Sequence, residues 1–488
     1  MQATTPKTSG LRRWHRRIAW LALAAALCFA LTGALHPLMT RFQPKPAQFM
    51  PPPSTPLAEA LPAPAAALAA AGIGELAALR MVDDGARWLW RARLPDGEVR
   101  YLDARSGQAL PADTERAQAE RLARWYSGEM QAALLQAEPV TAFDADYAYV
   151  NRLLPVWRLR FDRPDGLVAY VSTEEDRLAG LSDDRKRGFQ ALFRALHTWA
   201  WLPAPARNAW INLLLAGVAL TVLVGLVLAL RSPGGRRWNL RRLHRWGGLG
   251  VALAALAWVL SGYVQARGNA EREQGQAPQR PLSLAATTLT APVLAPARAK
   301  AGASLVRLAG EPAWRWSLQP PETTTGRGLA MGEHQHHGRA PAGAASASSA
   351  WYVSAGDGAP RDNGEAAHLA ELAAYFGIAS AASSALPVTA FSPEYGFLFK
   401  RLPVWKLETA DAEHSTYFID TASERLAARI TDGDRQAGAL FAYAHKWEWV
   451  TPWAGKDWRD GLSAAFALLL IGVALGGTWL RRRSKAVG

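Results

Sequence analysis

Four apolar stretches, near Ile18–Met39, Ala209–Leu230, Trp246–Gln265 and Gly461–Leu480, dominate this sequence. Each runs about 20 residues, the length an α-helix needs to cross roughly 30 Å of hydrocarbon. Three basic clusters abut them: Arg12, Arg13, Arg16 and Arg17; Arg231, Arg236, Arg237, Arg241, Arg242 and Arg245; and Arg481, Arg482, Arg483 and Lys485. Positive charge collects on the cytoplasmic side of a membrane, so the clusters are expected inside, with both termini, and the two long connecting segments outside. The formal charge of +14 thus follows from topology, and nucleic-acid binding is not expected. The first span offers small residues in "CFALTGA", as a cleaved signal peptide would; the repeat described next argues for a retained span. Cys28, the single cysteine, excludes an intrachain disulfide or a Cys-ligated iron–sulfur cluster and reads as a small apolar filler.

The chain repeats itself. "PVTAF" at Pro139–Phe143 returns 248 residues later at Pro387–Phe391. In the same register "LPVW" at Leu154–Trp157 returns at Leu402–Trp405, Tyr147 as Tyr395, His197 as His445, and Trp199 and Trp201 as Trp447 and Trp449. At a shift of 229, "LRRWHR" (Leu11–Arg16) matches "LRRLHR" (Leu240–Arg245), pairing His15 with His244. Seventeen residues after each of these histidines come a small hydroxyl residue and glycine, Thr32-Gly33 and Ser261-Gly262. Such regularity implies a tandem duplication of span, outer segment and span, both copies running the same way.

The expected order is therefore a cytoplasmic start (1–17), a span (18–39), an outer region (40–207) with an interfacial helix about 186–201, and a span (208–230). A cytoplasmic loop (231–245), a span (246–265), a second outer region (266–459) with an interfacial helix about 435–450, a span (460–480) and a cytoplasmic tail (481–488) complete it. The outer regions read as small α+β modules. "ARWLWRARL" and "EVRYLDARSG" flank "PDG" as a hairpin would, a helical stretch from about Asp113 to Leu135 follows, and "VWRLRF" and "LVAYVST" alternate as strands. A Pro/Ala-rich linker, Pro44 to Pro64, is expected to be extended. The second region carries a Gly/Ala/Ser/His-rich insertion, about 324–349, between "AWRWSL" and "AWYVSA". His334, His336 and His337 lie in it, as loop residues with a weak claim to a divalent metal.

Five of the ten histidines border the spans: His15 and His244 inside, His36, His197 and His445 outside. Ionisable groups at a membrane are functional candidates by default. Neutral imidazole is the usual nitrogen ligand of haem iron, and a b-type haem needs two of them on facing helices at one depth. His15 and His36 are 21 residues apart on one helix, roughly 30 Å, so they serve opposite faces. His15 and His244 form the inner pair. Outside, symmetry favours His197 with His445, whereas nearness to the end of a span favours His36 with one of them. Gly33, Gly247, Gly248, Gly250 and Gly262 leave room for a flat ring or for close helix packing, and Arg12, Arg16, Arg242 and Arg245 are candidate propionate partners. One haem at each face describes a path for electrons across the bilayer. No P-loop, dinucleotide fingerprint, HExxH or nucleophile elbow occurs in the sequence, so a quinol or a separate flavoprotein would have to donate.

The entrance "LHRWGGLG…LSGY", the exit "LTGALHP" and the outer hairpins "EVRYLDARSGQAL" and "STYFIDTASERLA" occur in order over almost the whole chain. In these the sequence resembles PepSY-associated transmembrane proteins. The resemblance implies a bacterial inner-membrane protein with four transmembrane helices and two periplasmic α+β PepSY-like domains, associated with iron acquisition. Some such proteins are di-haem reductases of periplasmic ferric siderophores; others are fused to a cytoplasmic flavin reductase, a fusion not expected of this chain. By the same resemblance His15, His36, His197, His244 and His445 match membrane histidines of haem-binding members. The second copy departs by carrying Gln265 where the first has His36.

The leading expectation is a membrane oxidoreductase that moves electrons outward through two haems b to a ferric siderophore. Arg93, Arg100, Arg158, Arg194 and outer tryptophans are candidates for facing that anionic chelate, although most suit ordinary strand and interface roles. The alternative is a PepSY binding or regulatory protein, inhibiting a peptidase or serving as an accessory subunit, with the spans as anchors. Imidazoles at two depths favour the first, because an anchor needs none.

Overall fold

The computed structural model describes residues 6–231, 239–271, 277–299, 302–318, 350–379 and 385–486. His334, His336 and His337 lie outside the described residues. The chain divides into two compact units, one of residues 1–44, 183–273 and 433–488, the other of 45–182 and 274–432.

The first unit is helical. Gly10–Phe42, Ala204–Arg231, Leu240–Gly268 and Glu448–Arg482, of 33, 28, 29 and 35 residues, are long and apolar enough to cross a membrane. The helices outrun the apolar stretches at their basic ends, because Arg and Lys are good helix formers and nothing in "LRRWHRR" or "LRRRSK" breaks the ladder. The first span contains one π-helical turn, Ala26–Ala30, and continues through Pro37. The fourth is broken near its start at Gly455, whose φ of 82° falls in the left-handed region glycine tolerates. The helices approach closely where a side chain is missing: a Cβ at Gly217 would sit 2.6 Å from Leu21, and one at Gly247 2.9 Å from Val473. Exposed tryptophans ring both ends, Trp14, Trp20, Trp246 and Trp479 beside the basic clusters, and Trp201, Trp449, Trp453 and Trp458 at the opposite ends. Such paired belts suit the two polar borders of a bilayer. Short helices, Asp184–Leu196 and Asp432–Leu440, lead into the second and fourth spans; the latter continues as a π-turn, Phe441–His445. Each lead-in is followed by a tryptophan in the left-handed region, Trp199 (φ 50°) and Trp447 (φ 57°).

The second unit is α+β and contains the same element order twice. Three antiparallel strands (Ala78–Asp83, Trp88–Arg93, Val99–Asp103) precede a helix (Thr114–Ser127) and a four-stranded antiparallel sheet (Leu134–Val140, Val156–Phe161, Val168–Ser172, Arg177–Ser182). The echo is Ser304–Leu308, Glu311–Ser317 and Ala350–Ser354, helix Gly364–Tyr375, then Leu386–Val388, Val404–Glu408, Thr416–Asp420 and Arg425–Ile430. The "PDG" turn forms as read, with Gly97 at φ 92° closing it. Rather than making two separate bodies, the strand triplets join through Ser304 and Arg80 into one six-stranded sheet. Trp90 and Trp314, one from each triplet, stack with centroids 5.2 Å apart in a shared core. The Pro/Ala-rich segment is extended but docked: Trp125 Nε1 donates to the Met50 carbonyl at 2.8 Å, and Leu61 is buried. The strands flanking the His-rich insertion pair with each other, Trp316 opposite Trp351.

A feature unread in the sequence anchors each half. Glu115, in the first turn of its helix, accepts a bidentate pair from buried Arg91 (3.0 and 2.8 Å) and bonds from the Tyr101 and Thr173 hydroxyls. Glu365 takes Arg315, the Tyr352 hydroxyl at 2.6 Å, the Thr421 hydroxyl at 2.7 Å and Trp405 Nε1 at 2.7 Å.

Candidate functional site

In the helical unit His15 and His244 meet, their ring centroids 6.4 Å apart and their planes at 62°. With metal–imidazole bonds of about 2.0 Å and a ring centre about 1.1 Å beyond the nitrogen, two imidazoles on opposite sides of one metal ion have centroids about 6 Å apart. His244 Nδ1 lies 3.0 Å from the Val473 carbonyl. A carbonyl only accepts, so Nδ1 carries the proton and Nε2 keeps its lone pair. His15 Nδ1 is buried without a partner of normal geometry among the described residues, and the Thr221 backbone lies beside it. The buried Nε of Arg245, next to His244, also has no hydrogen-bond partner among the described residues.

Four residues beyond Thr221 and Val473 stand Gly225 and Gly477, in "TVLVG" and "VALGG". A Cβ at Gly225 would lie 3.3 Å from His15 Cε1, and one at Gly477 2.9 Å from His244 Cε1. These glycines admit the imidazoles, and the sequence reading missed them. A shift of 252 relates both pairs, a signal hidden by the four-residue change from the 248 register. The glycines singled out from the sequence do other work. Gly247 and Gly248 pack on Val473, Gly262 lies beside Leu215, and a Cβ at Gly33 or Gly250 would meet nothing within 4 Å.

At the other end of the same helices His197 Nδ1 lies 2.8 Å from Thr32 Oγ1, and His445 Nδ1 lies 3.0 Å from Ser261 Oγ. Phe193 stacks on His197 (4.3 Å, 12°) and Phe441 on His445 (4.8 Å, 19°). Phe29 meets His197 edge-on at 5.4 Å, and its counterpart Trp258 donates from Nε1 to the His445 carbonyl at 3.1 Å. The hydroxyl and phenyl contacts are repeat-related twins, whereas Phe29 and Trp258 stand at matched positions but touch their histidines differently. Burial, then the neighbouring His445 and His36, push the His197 imidazole down to about 3. Burial, then Lys446 and His36, push His445 down to about 4. Both rings are therefore neutral at physiological pH, the form that binds metals. His36 is close enough to act on both, yet it differs: it is exposed, it stands near Phe193 at 5.9 Å, and its counterpart is Gln265.

Among the described residues no three His, Cys, Asp or Glu side chains gather as a metal site. What the unit offers instead is paired imidazoles, the protein's share when a planar macrocycle fills a metal's other four positions. The arginines proposed to face a chelate are engaged: Arg158 bridges Glu138 (2.7 Å) and Asp144 (2.5 Å), Arg100 holds Glu98 (2.8 Å), and Arg93 lies 3.9 Å from Glu174. The sequence matches no protein-family model and no curated protein.

Proposed function

We propose that this chain is a bacterial inner-membrane PepSY-type haem protein, built by tandem duplication, that carries electrons across the membrane to a periplasmic ferric siderophore. The observation that supports it best is the twofold matching of imidazole pairs at two depths, with His197, His445 and His244 each oriented by a contact at Nδ1. In this reading the basic clusters are cytoplasmic, with both termini, and the α+β unit is periplasmic. His15 and His244 hold one haem b, and His197 and His445 hold the other. Thr32 and Ser261 stand 17 residues beyond His15 and His244, so the two centres are about 25 Å apart along the helices.

Haem, when bound, supplies a one-electron couple. The chain supplies neutral imidazoles on helices and protonated Nδ1 groups that raise ligand basicity. A cytoplasmic flavoprotein or a quinol donates at the inner level. Reduction of the chelated metal lowers its affinity for siderophore oxygens and releases it. An anchoring or peptidase-binding role would leave the paired imidazoles and their glycines without a purpose.

Two substitutions of equal size separate this reading from simple helix packing. Gly477→Ala places a methyl against the His244 ring, which the Val473 carbonyl pins. It is expected to lower the haem bound per chain toward one, as read by absorbance at fixed protein concentration. Gly250→Ala meets open space and is expected to change nothing. Equal haem loadings in the two variants would contradict the inner assignment.

A further inference from the structure

Thr32 and Ser261 are buried hydroxyl residues at matched positions on the first and third spans, 2% and 1% exposed. Each hydroxyl has one proton to give. Thr32 Oγ1 lies 2.6 Å from the Cys28 carbonyl and 3.2 Å from that of Phe29, and Ser261 Oγ lies 2.7 Å from the Ala257 carbonyl and 3.2 Å from that of Trp258. Carbonyls only accept, so the hydroxyl protons go to the helix backbone. What remains toward the histidines is a lone pair, and the third contact closes only if the imidazole donates. His197 Nδ1 at 2.8 Å and His445 Nδ1 at 3.0 Å must then carry the protons.

We infer that Thr32 and Ser261 are positioning residues for the outer centre, fixing the tautomer and ring plane of His197 and His445 so that both present an unprotonated Nε2. The inference rests on the proposed function and selects the outer pair, which the sequence left open between these two and His36. Among the described residues His36 makes no bond of this kind: it stands 5.9 Å from Phe193, beside a small pocket lined by Thr32, Leu35, Met39, Phe189, Leu192 and Phe193. Hydroxyl and stacked phenyl together leave each ring little rotational freedom. At the inner level a backbone carbonyl does for His244 what the hydroxyls do here. An Nδ1–H donated to an acceptor makes the ring a more basic ligand, which favours the oxidised metal.

The test is spectroelectrochemical titration of the purified full-length protein, with electron paramagnetic resonance of the oxidised state. Thr32→Val and Ser261→Ala, which keep the local shape and delete the acceptor, are expected to raise the outer centre's reduction potential and alter its low-spin resonance. The inner centre should keep both properties. Thr32→Ser and Ser261→Thr, which restore a hydroxyl, are expected to return the wild-type values. Two bound haems with an unmoved outer potential and resonance in Thr32→Val and Ser261→Ala would overturn the inference and leave the proposed function standing. A shift that the hydroxyl-bearing variants fail to reverse would also overturn it, pointing to packing. A wild-type protein without haem would overturn both.

Discussion

Replacing His244 by alanine is expected to halve the haem bound per chain and to leave the remaining centre spectroscopically normal. The halving follows from depth: His244 is paired with His15 at 6.4 Å, while the outer imidazoles are anchored on Thr32 and Ser261 about 25 Å away along the helices. His15→Ala should give the same spectrum, because either change leaves one ligand where two are needed. His197→Ala and His445→Ala should remove the complementary centre, with its own potential and resonance. His36→Ala is the informative contrast. It alters an exposed imidazole with no repeat-related twin and is expected to leave both haems in place. Haem extraction and absorbance against protein concentration, variant by variant, checks the series. Loss of both centres on changing His244 would contradict two independent sites, and loss of the outer centre on changing His36 would move that residue into the ligand pair.

The largest stability effect is expected in the α+β unit, at Glu365. Burial by itself would raise this carboxyl, but the Arg315 guanidinium and hydrogen bonds from Tyr352, Thr421 and Trp405 overcome it and hold Glu365 at about 2. Against its ordinary 4.5 that is worth about 3 kcal/mol at neutral pH. The carboxyl titrates lower in the folded state than in the unfolded one, so the contribution is complete above about pH 5 and is lost as pH falls toward 2. Glu365→Gln takes from Arg315, 3% exposed, the carboxylate that pairs with it directly, and breaking such a buried pair costs about 3–5 kcal/mol. The α+β unit should therefore unfold at lower denaturant, most visibly in hydrogen exchange of residues 350–379 and 385–430. The difference from wild type should shrink as the pH is lowered from 5 to 2. A pH-independent difference would show that shape rather than charge sets the effect.

How much of this could be read in the sequence depended on whether a feature repeats at short range or closes over long distances. The four spans and the His15–His244 register were legible because helix length and one internal shift fix depth. Thr32 and Ser261 were noticed as a recurring hydroxyl but had no role until His197 and His445, far along the chain, were seen to face them. Gly225 and Gly477 were missed because the spans that carry them follow a different shift from the outer segments. Glu115 and Glu365 carry no sequence signal of their role, since nothing local announces that Arg91 and Arg315 are buried behind them. The joined six-stranded sheet was equally hidden: pairing Ser304 with Arg80 is a choice of edge that strand alternation leaves open. Gln265 opposite His36 was visible from the start and marked the residue that the structure also sets apart.

The central claim is best tested by the absorption spectrum of the wild-type protein, purified in mild detergent from haem-replete cells, before and after dithionite. Paired imidazole ligation predicts a Soret band, sharpened α and β bands on reduction, and two haems per chain by extraction. A colourless preparation of folded protein, with no Soret band in either state, would contradict it.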